Sequence, residues 1–91
     1  MGEGTIAIAL RGPLGRADLP ALMARFAREL ERSQAELAVC ELIEVEPDAV
    51  ALDALARLRV VAHRCGCELH VHEPSDELVE LLALSGLGEL V

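Results

Sequence analysis

The apolar residues of this 91-residue chain follow two different periods, and the two periods alternate three times along it. Thr5–Leu10, Leu37–Ile43 and Glu68–His72 are short runs of aliphatic and β-branched residues, which are typical of strands. A pattern with apolar residues three and four positions apart follows each run and indicates a helix. Strands separated by single helices pair in parallel through right-handed crossovers. The order therefore predicts a small α/β domain.

The helical stretches have recognisable starts and ends. They begin after three residues that commonly cap helices, namely Asp18, Asp48 and Ser75. The second helix is expected to cover Ala51 to Cys65 before Gly66, and the third to end at Leu84 before Gly86. The first carries a single apolar stripe made of Leu19, Leu22, Met23, Phe26 and Leu30. Arg25, Arg28 and Arg32 occupy the opposite side of that helix, with Glu29 placed to pair with them.

Length and composition restrict the function of the chain. Residues 1–91 make one domain, because a second core does not fit in so short a chain. A net charge of −8 argues against nucleic acid or anionic lipid as the main partner, since phosphate binding needs a basic surface. Phe26 is the sole aromatic residue, so no platform for stacking bases or sugars is expected. No apolar run is long enough to span a membrane, and three cysteines without framework spacing indicate a cytoplasmic protein.

A cluster of histidines and cysteines near the third strand has the composition of a metal site: His63, Cys65, Cys67, His70 and His72. Helical periodicity points Cys65 into the core and His63 about 160° away from it. On the strand, Cys67 faces the side opposite to His70 and His72. Tetrahedral zinc needs four converging ligands, so the pattern predicts no metal site. A small metal or redox protein remains a less favoured alternative, with His70 and His72 as a weak chelating pair.

No catalytic constellation or cofactor motif is recognisable. The carboxylates Glu41, Glu44, Glu46 and Asp48 are interpreted as a solvated loop, because no histidine, lysine or calcium-loop spacing accompanies them. The serines lie at helix ends, and no glycine-rich phosphate loop is present. The chain is therefore predicted not to be an enzyme and to need no cofactor.

Four segments carry a family resemblance. Glu80–Leu87 (ELLALSGL) resembles the ELLELTGL ending of STAS domains, the family of bacterial anti-sigma-factor antagonists. Leu52–Leu58 is similar to the GLxxLLRL helix of that family, and Arg64–Leu69 to its RGxxL junction. Arg11–Leu14 resembles the SGxLD turn, although Gly15 replaces the aspartate. The resemblance covers residues 5–91.

The resemblance implies a mixed sheet with helices packed mainly on one side, and regulated protein–protein binding. The first strand of the family is nearly missing, because only Met1–Gly4 precede the first apolar run. The family is switched by phosphorylation of a serine in DSSG at the start of the second helix. Counting back from Arg57 and Leu58 places that motif on Asp48–Ala51, where Ala49 stands at the phosphoacceptor position and lacks a hydroxyl.

The leading hypothesis is a non-catalytic STAS-like interaction domain without the phosphorylation switch. Its expected partner is a protein, such as an anti-sigma-type kinase or another STAS protein. The expected binding surface combines the loop Glu44–Asp48 with one face of the second helix: Glu44, Glu46, Asp48, Ala49, Asp53, Arg57, Val60 and Arg64. The alternative is a structural subunit that associates with itself as a homodimer, or a degenerate or transport-associated STAS protein.

Overall fold

The computed structural model describes residues 4–91 and confirms the predicted alternation of strands and helices. The strands are β1 (Thr5–Arg11), β2 (Leu37–Ile43) and β3 (Glu68–Val71). The helices are α1 (Leu19–Ser33), α2 (Ala49–Arg64) and α3 (Asp76–Leu84). Two short 3-10 turns precede α1 and follow α3, at Arg16–Asp18 and Gly88–Leu90. The described chain is therefore a small α/β domain.

The three strands form one parallel sheet in the order β1-β2-β3. Ile6 pairs with Ala38, which pairs with Leu69, so these three residues lie in one row across the sheet. The family resemblance implies a mixed sheet, but no antiparallel strand occurs within residues 4–91. The position of the missing family strand, Met1–Gly4, lies mostly outside the described residues.

All three helices cover one face of the sheet. The buried strand residues alternate along each strand and share that face, as expected for a period of two; they are Leu10, Ala38, Cys40, Leu69 and Val71. Buried leucines of α1, α2 and α3 complete the same core. The outer face carries Leu37, Val39 and Ile43, which are half-exposed and belong to no buried cluster. The placement of the helices on one side therefore agrees with what the family resemblance implies.

Two of the three predicted helix caps form as expected. Asp48 Oδ1 accepts a hydrogen bond from Ala51 N at 3.0 Å, and Ser75 Oγ accepts one from Leu78 N at 3.2 Å. Asp18 precedes α1 but does not cap it, because its carboxylate accepts from Gly15 N at 2.9 Å. The short 3-10 turn before α1 supplies this nearer donor, so the side chain turns back toward Gly15.

Candidate functional site

The acidic loop between β2 and α2 presents its carboxylates to solvent. Glu44, Glu46 and Asp48 are exposed, whereas Val45 and Pro47 between them are half-buried. Glu44 adopts a left-handed backbone conformation with φ of 54°. This alternation holds the loop on the core through its apolar residues and leaves three negative charges on one side.

The turn after β1 packs closely against the acidic loop. Gly12 N donates a hydrogen bond to Ile43 O at 2.8 Å. The carbonyl oxygen of Glu44 lies so close that a Cβ on Gly12 would be 1.7 Å from it. Between the turn and the loop is an open cavity of about 490 Å³, lined by Pro13, Leu14 and the three carboxylate residues together with Val45. Sequence reasoning treated Gly12 as part of a turn and missed this contact.

Ala49 connects the acidic loop to helix α2. It is the first residue of the helix, follows the capping residue Asp48, and is exposed. At 100° per residue, Asp53, Arg57, Val60 and Arg64 lie on the same side of α2 as Ala49. The loop and this helix face therefore form one continuous surface, hereafter the acidic surface.

The helix portion of the acidic surface mixes charges with one apolar side chain. Asp53 Oδ1 accepts a hydrogen bond from Arg57 Nε at 2.9 Å. Asp53 Oδ2 also lies 3.6 Å from Arg16 Nε in the turn before α1. Exposed ion pairs of this kind contribute less than ~1 kcal/mol, so they mainly orient the side chains. Val60 is 48% exposed, which gives the surface an accessible apolar contact.

The cysteine and histidine side chains point in different directions. Cys67 is buried, and its Sγ donates to Glu68 O at 3.3 Å. His70 Nε2 lies 3.5 Å from Glu68 Oε2 on the outer face, and His72 is exposed. The prediction that Cys65 faces the core is wrong: α2 ends at Arg64, so Cys65 leaves the helical periodicity and is exposed. Within residues 4–91, no three metal-ligating side chains are grouped to hold an ion.

The three free cysteines differ in their accessibility: Cys40 and Cys67 are buried, whereas Cys65 is exposed. Burial raises the pKa of the Cys40 thiol to about 12, and burial also raises that of Cys67, with smaller contributions from Cys65 and Glu68. Thiolates are the reactive species, so Cys65 alone should react rapidly with a thiol reagent in the folded protein. A single fast equivalent that disappears in Cys65→Ser is expected. Equal rates for all three thiols would contradict the placement of Cys65.

In the part of the chain that the structure describes, no helix is long and apolar enough to cross a lipid bilayer. No protein-family model matches the sequence, and neither a curated protein nor a solved structure does.

Proposed function

We propose that the chain is a non-catalytic, STAS-like interaction domain that binds a protein partner through the acidic surface. The observation that supports this most is the position of Ala49. It is exposed at the start of α2, directly after the capping residue Asp48 and beside the acidic loop. The resemblance assigns a phosphorylatable serine to this position.

The methyl group of Ala49 makes the proposed binding constitutive. A phosphate at this point would add nearly two negative charges and a bulky group next to Glu44, Glu46 and Asp48, which would repel these carboxylates and obstruct the contact of a partner with the start of α2. Without a hydroxyl, the chain cannot carry that phosphate. Partner binding should consequently persist in the presence of ATP and a kinase.

The charges of the acidic surface indicate the chemistry of the partner. Within residues 4–91, Glu44, Glu46 and Asp48 form no ion pair. Unpaired carboxylates favour a partner with a basic patch and make the association rate depend on salt. We propose an anti-sigma-type kinase or another STAS protein, and not a nucleic acid or a membrane. The free cysteines are compatible with the cytoplasm as the compartment of this function.

A substitution at Ala49 tests the proposed surface. Ala49→Asp should weaken binding to an anti-sigma-type kinase of the same organism about fivefold, which corresponds to about 1 kcal/mol, because the partner would have to desolvate a charged side chain where it contacts the methyl group of Ala49 in the native chain. The affinity is measured by calorimetry with purified proteins. Ala24→Asp, the same substitution at an exposed position of α1, is the control and should leave the affinity unchanged.

Restoring the hydroxyl tests the switch. Ala49→Ser should accept a phosphate from the kinase, whereas the native chain should not. An unchanged affinity of Ala49→Asp would show that the partner binds elsewhere. A stoichiometric phosphate that controls binding on Thr5, Ser33, Ser75 or Ser85 of the native chain would contradict constitutive binding.

A second candidate function is that of a self-associating subunit. It is favoured by the outer face of the sheet, where no helix of residues 4–91 covers the half-exposed Leu37, Val39 and Ile43. A second sheet can bury apolar side chains on such a face, on which the exposed Glu41 lies between Val39 and Ile43. Light scattering at two protein concentrations distinguishes the two candidates, because only a self-associating subunit gains mass with concentration. Val39→Asp should then abolish that gain.

A further inference from the structure

In the sheet formed by residues 4–91, strand β1 is an edge strand, and the backbone groups on its outer side have no partner there. Gly4 O accepts from Leu37 N at 2.9 Å and Gly12 N donates to Ile43 O at 2.8 Å, so the even-numbered residues of this segment face β2. Successive residues of a strand point their backbone N–H and C=O groups toward opposite edges of the strand. The N–H and C=O groups of Thr5, Ala7 and Ala9 therefore point away from β2, toward the open edge of the sheet. Edge strands are usually protected by proline, inward-pointing charges or bulges. The continuous register of Thr5–Arg11 contains none of them.

Helix α1 runs beside this edge and leaves a groove, hereafter the arginine groove. Its larger part has a volume of about 630 Å³ and lies between Ala9–Arg11 on the strand side and Arg25 and Arg28 on the helix side. Its smaller part, about 250 Å³, follows the strand from Ile6 to Ala9. Arg25 borders both parts, so the groove follows most of the strand.

Positive charges outnumber negative charges among the described residues that line the arginine groove. Arg11, Arg25 and Arg28 are exposed and form no ion pair or side-chain hydrogen bond within residues 4–91. Of the two carboxylates that line the groove, Glu29 pairs with Arg32, whereas Asp18 accepts a hydrogen bond from Gly15 N and keeps its negative charge. The chain as a whole has a net charge of −8. Three unpaired arginines beside a free strand edge are complementary to an anionic ligand of extended shape.

We propose that the arginine groove binds an extended acidic segment of a partner protein, which adds to β1 as a fourth strand. The backbone of the segment would bond to the outward groups of Thr5, Ala7 and Ala9. Carboxylates at alternate positions would reach Arg25 and Arg28 on the helix side, where charged hydrogen bonds are strong. This interaction is independent of the acidic surface and does not rest on the function proposed there.

Two other ligands of the arginine groove, a second copy of the chain and a single-stranded nucleic acid, are less compatible with its residues. Antiparallel pairing of β1 with a second copy would place α1 beside α1, so that Arg25 and Arg28 of one copy face the same residues of the other. Like charges in such proximity oppose association. Single-stranded nucleic acid binds through aromatic stacking platforms, and Phe26, the sole aromatic residue, is buried.

The test uses the full chain labelled with ¹⁵N and a capped peptide of the length of β1, with glutamate and valine alternating. Addition of the peptide should shift the amide signals of Thr5, Ala7 and Ala9, and the affinity should fall as salt is raised. A peptide with lysine in place of glutamate should not bind. Equal binding of the lysine peptide, or shifts confined to the acidic surface, would overturn the proposal.

Two variants separate the backbone and charge contributions. Ala7→Pro removes an outward N–H and leaves the ladder to β2 intact, so it should abolish binding of the glutamate peptide. Arg25→Gln combined with Arg28→Gln should weaken binding about tenfold. The matched control is Val79→Glu with Leu84→Glu, which changes the net charge equally on the exposed part of α3 and should have no effect.

Three outcomes of these variants would refute strand addition. Binding that survives Ala7→Pro would mean that the arginines attract anions without a strand. Binding that is unchanged by the double arginine variant would exclude the groove as the binding site. Arg25 and Arg28 lie outside the core, so the double variant should fold and keeps the test valid even if Ala7→Pro does not fold. Dimers of the chain alone that Ala7→Pro dissociates would identify a second copy as the occupant.

Discussion

Replacing Phe26 with alanine should lower the free energy of unfolding by about 4 kcal/mol. Phe26 is fully buried on the sheet-facing side of α1 and is the largest side chain of the core. Its removal costs the transfer free energy of the ring and leaves a cavity that the surrounding structure fills only in part. The other buried residues of this core are leucines, alanines, cysteines and one valine, and none of these side chains is large enough to fill the space of the ring.

Urea unfolding followed by circular dichroism measures this loss. Leu84→Ala is the control, because Leu84 is 80% exposed on α3 and its truncation should change stability by less than ~0.5 kcal/mol. A loss below ~1 kcal/mol for Phe26→Ala would show that α1 is not packed on the sheet as described.

Gly12→Ala should destabilise the fold by about 3 kcal/mol and disturb the acidic loop. A Cβ at this position would lie 1.7 Å from Glu44 O and 2.6 Å from Glu44 C. Both are backbone atoms, so no side-chain rotation can relieve the overlap. Either β1 or the loop has to move, and movement of a packed backbone costs about as much as overpacking a core. The hydrogen bond from Gly12 N to Ile43 O would be strained by the same movement.

Gly15→Ala is the matched control for this prediction. Its Cβ would meet only Asp18 Oδ2, at 3.5 Å, and its φ of −113° suits any residue. Equal stability of the two variants would contradict the close approach of Gly12 to the loop. Amide shifts of Glu44–Asp48 in Gly12→Ala, with α3 unchanged, would show that the disturbance reaches the acidic surface first.

The two proposed surfaces have opposite charge and are separated by one short turn. Pro13 and Leu14 border both the cavity of the acidic surface and the larger part of the arginine groove. A basic partner on one side and an acidic segment on the other would therefore approach within a few residues of each other. Salt should weaken both interactions, whereas Ala49→Asp and Ala7→Pro should each affect only one of them.

Local patterns in the sequence were sufficient to predict the order of the elements and most of their ends. The spacing of apolar residues distinguishes a strand from a helix within a few residues, and this spacing does not depend on contacts with distant parts of the chain. The caps Asp48 and Ser75 form because donor and acceptor are three residues apart. Ala49 is exposed at the start of α2, a position that the sequence indicated through the family resemblance and not through periodicity, which placed the start of the helix at Ala51.

The local pattern gave a wrong prediction at two helix ends, where a difference of one residue or one turn changes the environment of a side chain. Cys65 continues the apolar stripe of α2 in the sequence, but the helix ends one residue earlier, and the side chain is exposed. Asp18 resembles a cap, yet a 3-10 turn offers it the nearer N–H of Gly15. The last residue of α2 and the partner of the Asp18 carboxylate both depend on a few local hydrogen bonds, and the spacing of apolar residues carries no information about these bonds.

The sequence by itself determined that the chain alternates strand and helix, carries excess negative charge and lacks a hydroxyl at Ala49. Only the tertiary structure decided which distant residues meet. The fit of Gly12 against Glu44, the pair of Arg16 and Asp53, and the groove between β1 and α1 are examples. Each of them joins residues from different elements, and the packing of helices on one face of the sheet brings those elements together. The spacing of hydrophobic residues shows which side of a single helix or strand is buried. Contacts between different elements depend instead on the close packing of the whole core.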